Sequence, residues 1–394
     1  MRNLFKMVAL GAAVSFALQG CSLFSSEEDL NPMAPLPVVE SAFTADTAWS
    51  SSVGDGIGDF YSQLKPAVEE ERIYAAARDG DVTAFDRASG KELWSVDLAD
   101  LPINADKRSA RLSGGLVSRY GKLFLGSENG VVYALNEENG EVLWQTTVPG
   151  EVVASPAVED GRVVVLTTSG RLVALDTDEG KLQWTLAEEQ PPLTLRSAGA
   201  PIITNGAVLY GRADGKVGIA LLSNGQPVRQ SKVADPRGAT ELDRMVDVDA
   251  SPLIAGDELY AIAYNGQLMA RKLMTGDEVW KRKYSGYRDL AMTGNAIVLT
   301  DSRSHLFAID RRNGLELWSN TQLENRTVTA PVIFGDYVVV GDVEGYLYWL
   351  DRTDGTIKAM QQLDSSGLYA APLVDGETLY VQSRDGKLYA LKRP

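Results

Sequence analysis

The sequence predicts an all-β protein, an eight-bladed β-propeller made of four-stranded antiparallel blades. The first observation is a pattern of short strands in which apolar and polar residues alternate, with Gly-containing turns between them. The second is the repeat length, because the pattern returns eight times between Trp49 and Pro394, at about 43 residues per unit. That length is typical of a propeller blade, and strands of period two exclude a helical solenoid.

The repeating unit is clearest in three stretches, residues 155–184, 251–280 and 330–359. Each runs from a Pro or small residue through three strands to a second Gly turn and an outer strand. Asp-Gly or Asn-Gly stands in the first hairpin turn of five units, so we expect two-residue hairpins in which both central residues have positive φ. Ser304 takes the Gly position in one unit, and the other seven carry Gly80, Gly130, Gly170, Gly215, Gly266, Gly345 and Gly386.

The outer strand of most units carries Trp four residues after the second turn Gly. Seven units have this position, and the residues there are Trp94, Trp144, Trp184, Arg229, Trp280, Trp318 and Ala359. The eighth unit ends at Pro394, before it could supply such a strand. The stretch TAWSSSV (47–53) resembles LWSVDL (93–98), so we expect the N-terminal strand around Trp49 to close the last blade and protect its open edge. The propeller would then span residues 47–394.

The N-terminus has the layout of a secretory signal, with Arg2 and Lys6 before an apolar run and small residues at its end. Leu18-Gln19-Gly20-Cys21 resembles a bacterial lipobox, which implies cleavage after residue 20 and a lipid on the Cys21 thiol. Ser22, in place of Asp, implies sorting to the outer membrane. Residues 21–46 contain several prolines and no strand or helix period, and they are interpreted as a flexible, lipidated tether.

Composition and charge narrow the functional classes. The formal net charge of −15 argues against nucleic acid as a partner, because no excess of cations is present to neutralise phosphates. Cys21 is the only cysteine, so no disulfide and no cysteine-based catalysis is expected.

Two constellations could carry chemistry, and each has a simpler interpretation. Ser304, His305 and Asp301 could form a hydrolytic triad, but they stand at a hairpin turn, where a solvated histidine is expected. Asp247 and Asp249 would lie on one face of a strand and could bind calcium, but the sequence lacks the Asp-x-Asp-x-Asp-Gly loop. We therefore predict no catalytic and no metal-binding residues.

Two long connections between units mark a binding site for another protein. The spacing is 17 residues from Trp184 to Pro201 and 23 from Arg229 to Pro252, against 12 from Trp144 to Pro156. Both flank the fourth unit and emerge on one rim, and insertions confined to one face of a repeat protein commonly form its binding face. The candidate residues are Leu193, Leu195, Arg196, Asp247 and Asp249.

Apolar anchors beside opposite charges are what a protein-binding surface needs. Variable surface loops held by an internal Arg–Asp pair are the alternative interpretation of the same two connections.

The signature in ALDTDEGKLQW (174–184) and AFDRASGKELW (84–94) resembles the repeat of quinoprotein-type propellers. With the lipobox and the stretches LTLRSAG and ATELDRMVDVDASP, the chain resembles the BamB family, lipoproteins of the bacterial β-barrel assembly machinery. The resemblance implies a non-catalytic scaffold without cofactor, on the periplasmic face of the outer membrane.

In that family the residues matching the five candidates contact the polypeptide-transport-associated (POTRA) domains of the integral barrel subunit. Nascent outer-membrane proteins are a further possible partner. The alternatives are a periplasmic ligand sensor and a dehydrogenase using pyrroloquinoline quinone and calcium. Dehydrogenases of that kind carry an adjacent cysteine pair and long insertions over the cofactor, and this chain has neither.

Overall fold

The computed structural model describes residues 31–106, 108–196 and 199–394, and it confirms the eight-bladed propeller. Within these residues, 32 strands form eight antiparallel sheets of four strands each. In each blade the strands are named A to D from the central axis outward, because the A strands of neighbouring blades lie against one another.

The first four blades follow one another in sequence. Blade 1 contains β2 (Ala67–Glu69), β3 (Arg72–Ala76), β4 (Asp81–Asp86) and β5 (Glu92–Asp97). Blade 2 contains β6 (Val117–Arg119), β7 (Lys122–Gly126), β8 (Val131–Asn136) and β9 (Val142–Thr147). Blade 3 contains β10 (Ala157–Glu159), β11 (Arg162–Leu166), β12 (Arg171–Asp176) and β13 (Leu182–Ala187). Blade 4 contains β14 (Ile202–Thr204), β15 (Ala207–Gly211), β16 (Lys216–Leu221) and β17 (Pro227–Lys232).

The last four blades complete the ring. Blade 5 contains β18 (Leu253–Ala255), β19 (Glu258–Ile262), β20 (Leu268–Lys272) and β21 (Glu278–Arg282). Blade 6 contains β22 (Ala291–Thr293), β23 (Ala296–Thr300), β24 (Leu306–Asp310) and β25 (Glu316–Asn320). Blade 7 contains β26 (Val332–Phe334), β27 (Tyr337–Gly341), β28 (Tyr346–Asp351) and β29 (Ile357–Gln362). Blade 8 contains β30 (Leu373–Asp375), β31 (Thr378–Gln382), β32 (Lys387–Lys392) and the N-terminal strand β1 (Thr47–Ser52).

The N-terminal strand closes the ring as predicted. Strand β1 is the D strand of blade 8 and pairs antiparallel with β32, with Trp49 opposite Ala390 and Ser52 opposite Lys387. Two strands from opposite ends of the chain therefore share one sheet, and the last blade has no unpaired C strand.

The first hairpin turns differ from the two-residue hairpins expected. In blade 3 the Gly170 N–H donates to the Thr167 carbonyl at 2.9 Å, and Gly170 has φ +72°. This is a longer turn closed by one left-handed residue, so Gly is favoured at its last position. Ser304 adopts φ +69° at the same place without being Gly.

Trp residues of the outer strands join six of the eight blades to the next one. The Trp144 indole N–H of blade 2 donates to the Thr177 carbonyl in the second turn of blade 3, at 3.0 Å. The ring also covers Gly180, where a Cβ would lie 2.6 Å from it. Asp176 caps that turn by accepting the N–H groups of Asp178 and Glu179. In the Ala-x-Asp-x-x-x-Gly-x-x-x-Trp signature, the Asp caps the turn and the Gly makes room for the Trp of the preceding blade. The Trp of the signature contacts the following blade.

The N-terminal strap, residues 31–46, corrects the expectation of a flexible tether for this part of the chain. The Ala42 N–H donates to the Lys358 carbonyl at 2.8 Å, and Ala45 is buried in the core cluster of blades 7 and 8. Phe43 packs against Trp349. The sequence shows no strand period here because the strap is held by single contacts rather than by a regular ladder.

Cys21 and the signal segment lie outside the described residues, so the lipidation site and the domain boundaries stay predictions. Among the residues that the structure describes, no helix is long and apolar enough to cross a bilayer.

Candidate partner-binding site

One face of the disc carries all connections from a D strand to the next A strand, together with the turns between B and C strands. We call it the connection face. It holds the two connections singled out from the sequence, residues 188–201 between blades 3 and 4 and residues 233–252 between blades 4 and 5. It also holds residues 98–116 between blades 1 and 2, a connection of comparable length that was not predicted. The opposite face carries the A–B and C–D turns.

The two long connections pack against each other, as predicted. The Leu195 N–H donates to Asp247 Oδ1 at 2.8 Å, and the Ala200 N–H donates to Ser251 Oγ at 3.0 Å. A Cβ at Gly199 would lie 2.8 Å from the Asp249 carbonyl oxygen. Close backbone contact of this kind makes the two loops a single surface.

The carboxylates of the insertion are not placed as predicted. Residues 246–250 are irregular rather than a strand, and Asp247 and Asp249 are both buried. Their alternation therefore does not present two carboxylates to solvent. The two loops pack together, and this packing places the Asp247 side chain inside, where it accepts the Leu195 backbone N–H.

Asp247 is a buried acid of the site whose pKa is raised. Burial raises the pKa of its carboxyl to about 6, while the hydrogen bond from the Leu195 N–H acts in the opposite direction. Its Oδ1 accepts that N–H, whereas Oδ2 is buried without a hydrogen-bond partner. Its structural role is to hold the loop that carries Leu193 and Arg196.

Arg196 pairs with glutamates rather than with an aspartate of the insertion. Its guanidinium lies 3.1 Å from Glu128 Oε1 and 3.1 Å from Glu151 Oε2, and it donates to the Tyr61 carbonyl at 3.4 Å. The Arg196–Asp247 pair considered from the sequence is therefore wrong. Side-chain exposure of 38% leaves part of the guanidinium open to a partner.

The two leucines of the site differ in exposure. Leu193 is 42% exposed, and Leu195 is half-buried beside Asp247. Leu193 is thus the apolar group presented to solvent, while the Leu195 backbone ties the loop to the insertion.

Residues 53–66, the connection from blade 8 to blade 1, belong to the same face and were missed by the sequence analysis. Phe60 is 54% exposed. The Arg78 guanidinium carbon lies over the Phe60 ring, 3.6 Å from the ring centroid. Tyr61 accepts a hydrogen bond from the Arg288 guanidinium at 3.3 Å. The length of this connection could have identified it, since the spacing from Trp49 to Pro66 equals that from Trp184 to Pro201.

The hydrolytic alternative for His305 has no support in its geometry. His305 Nδ1 lies 3.1 Å from Asp301 Oδ2, but the Ser304 hydroxyl accepts the Val328 N–H instead of contacting the imidazole. Ser304 is buried and His305 partly buried, so the prediction of a solvated turn is wrong. Among residues 31–106, 108–196 and 199–394, no group of three or more His, Cys, Asp or Glu could hold a metal ion.

Comparison with solved structures defines the class. BamB from Moraxella catarrhalis superposes with a TM-score of 0.80 at 25% identity, over 89% of this chain and 100% of that one. The quinohemoprotein alcohol dehydrogenase from Comamonas testosteroni gives a TM-score of 0.70 at 12% identity, over 88% of this chain and 76% of the enzyme. The second likeness shows the fold alone. The protein therefore belongs to the class of eight-bladed β-propellers.

Sequence comparison gives the family. The model described as outer membrane protein assembly factor BamB matches residues 39–106, 78–320 and 319–393. Proteins of that name are similar to this chain in Vibrio cholerae, with 45% identity over 86% of this chain and 85% of the relative, and in Escherichia coli, with 42% over 84% and 85%. The chain belongs to the BamB family of outer membrane protein assembly factors. This membership confirms the predicted family and its assignment as an assembly factor rather than an enzyme.

Proposed function

We propose that this protein is a lipid-anchored scaffold on the periplasmic face of the outer membrane, which binds the POTRA domains of the integral barrel subunit through the connection face beside blade 4. Family membership supports the coarser role in outer-membrane protein assembly. The barrel subunit and the lipid on Cys21 are proposals that follow from the resemblance of the site residues and of the lipobox.

The single observation that carries the binding site is an exposed leucine beside a partly exposed arginine on a loop that is fixed before binding. Leu193 and Arg196 project from a connection held by Asp247 on one side and by Glu128 and Glu151 on the other. A surface ordered in advance loses less conformational entropy on association. Scaffolding needs such a surface and no reacting group.

A pull-down from envelope extracts tests the proposal. The tagged parent should retain the barrel subunit, and Leu193→Asp should lose it because a charge replaces the apolar anchor. Met274→Asp is the matched control, since Met274 is 77% exposed on the opposite face. Equal recovery of the barrel subunit by parent and Leu193→Asp would refute the site, and its absence from the parent sample would refute the partner.

Nascent outer-membrane proteins are a second candidate partner, favoured by the outer edges of the blades. The D strands β5, β9 and β25 expose Leu93, Leu143 and Leu317 beside an unpaired backbone edge. An extended polypeptide can add to such an edge. A photo-activatable residue at position 143 should crosslink newly made outer-membrane proteins; crosslinking no more than a residue at Met274 would contradict this role.

A further inference from the structure

The N-terminal strap is clamped at its start by the connection between blades 6 and 7. The Ala34 N–H donates to the Glu324 carbonyl at 2.9 Å, and the Asn325 side-chain amide donates to the Pro32 carbonyl at 3.1 Å. The Arg326 guanidinium donates to the Ala34 carbonyl at 2.8 Å. Three hydrogen bonds within three residues make this a defined attachment point, which we call the clamp.

The clamp is rigid because its arginine is fixed from behind. Arg326 is only 1% exposed, and its Nε donates to the fully buried Asp342 at 2.8 Å. Glu344 pairs with another nitrogen of the same guanidinium. Because two carboxylates orient this guanidinium, its remaining nitrogen is directed toward the Ala34 carbonyl before the strap binds.

From the clamp the strap continues along the outer strand of blade 7, where a Trp is missing. Blade 8 has no second turn to receive a Trp, because its D strand comes from the other end of the chain. Ala359 of blade 7 stands where six other blades carry Trp. Phe43 packs beside this position, with its ring centroid 5.1 Å from that of Tyr337 and 5.6 Å from that of Trp349. The strap thus fills a junction that lacks the usual Trp.

We infer that the strap fixes where the membrane anchor leaves the propeller, on the connection face beside blades 6 and 7. It also shortens the maximum distance between Cys21 and the propeller. The chain from Cys21 to Pro32 spans at most about 40 Å, against about 90 Å from Cys21 to Thr47 if the whole segment were free. The anchor then leaves from the same face that carries Leu193 and Arg196. This inference rests on the proposed lipidation of Cys21 for its role in the cell.

The geometry can be tested without lipid or partner, because Cys21 is the only cysteine of the chain. Mature chain beginning at Cys21 is labelled with benzophenone maleimide, illuminated, and mapped by mass spectrometry. We expect crosslinks to concentrate on connection-face residues of blades 6 and 7. A map spread evenly over both faces of the parent would overturn the inference.

A clamp variant and a matched control sharpen the test. Ala34→Pro with Asn325→Ala removes two clamp donors and leaves Arg326 in place, so crosslinks should spread toward blade 8 and the opposite face. Val38→Ser changes a fully exposed strap residue and should keep the parent map. Cooperative melting of both variants shows that the propeller is intact. An unchanged map in the clamp variant would also overturn the inference, whether or not the barrel subunit binds.

Discussion

Asp247 shows how one buried carboxylate organises the candidate site. It is 2% exposed and accepts the Leu195 N–H, so it joins the insertion to the loop that carries Arg196. Burial raises the pKa of this group to about 6 from 3.8. The structure gives Asp247 a role as an acceptor inside the fold, and its predicted contact with the partner stays a prediction.

The raised pKa of Asp247 predicts a pH-dependent stability. Between about pH 4 and pH 6 the folded protein keeps a proton on Asp247 that the unfolded chain has lost, so the contribution of this group to stability falls as pH rises through that window. In Asp247→Asn this contribution is absent, so its melting temperature should rise relative to the parent from about pH 4 to pH 6 and level off above. Thermal melts followed by circular dichroism measure the difference. A difference independent of pH would contradict the burial argument.

Arg196 shows why pairings between side chains could not be read from the sequence. The acidic insertion at 233–252 looked like the source of its partner, whereas its partners Glu128 and Glu151 lie in blade 2 and in the connection that follows blade 2. The ring geometry, and not the sequence distance, decides which charges meet on the connection face.

Trp residues of the outer strands are the repeating link between blades at the scale of elements. Each donates its indole N–H to a carbonyl in the second turn of the next blade, as Trp184 does to Leu222 at 2.8 Å. Arg229, whose place in the Trp position the sequence left unexplained, makes the same link with its guanidinium to Leu273 and Met274. Blade 4 is therefore linked to blade 5 in the same way, with Arg229 in place of Trp.

Trp144→Ala should lower the free energy of unfolding by roughly 3–5 kcal/mol, because it removes a buried ring and leaves a cavity against blade 3. Its neighbour Leu143 is 40% exposed, so Leu143→Ala is the control, and a change within about 0.5 kcal/mol is expected. Urea denaturation of both variants gives the comparison. If the two variants unfold at the same urea concentration, the Trp is not the link between blades.

Turns and loops mark the limit of prediction at the element scale. Strands, blade count and the closing strand followed from alternation and Gly spacing, since these patterns reflect which side of a strand is buried. The turn at Gly170 and the buried Asp247 did not follow, because both depend on contacts between segments distant in sequence. The loop 53–66 could have been found from its length, whereas its contacts with Arg78, Arg196 and Arg288 could not.

The whole molecule is a ring closed twice at its N-terminal end, first by the strap on blade 7 and then by β1 in blade 8. The second closure could be predicted from the sequence, because β1 resembles the other outer strands. The first could not, because the strap resembles a linker in composition and its role is visible only in its contacts with blade 7 and the clamp.

Truncations separate the two closures. Deletion of residues 22–30 should leave the melting temperature unchanged, and deletion of 22–46 should lower it by several degrees because Phe43, Ala45 and the clamp contacts are lost. Deletion of 22–56 should lower it much further, because β1 is removed and the edge of β32 is exposed. Calorimetric scans of the three proteins test this order. Equal melting temperatures for the 22–30 and 22–46 deletions would show that the strap does not stabilise the ring.

The most direct test of the account is a calorimetric titration of the purified POTRA domains of the barrel subunit into four proteins: the parent, Arg196→Glu, Arg196→Glu with Glu151→Arg, and Met274→Asp. We predict that Arg196→Glu weakens binding by about 2 kcal/mol or more, roughly 30-fold, and that Met274→Asp binds like the parent. The charge-swapped pair should restore the contact between the two connections but not the affinity, because the partner still meets a glutamate. Parent-like affinity in Arg196→Glu, or in the charge-swapped variant, would contradict direct recognition through this face.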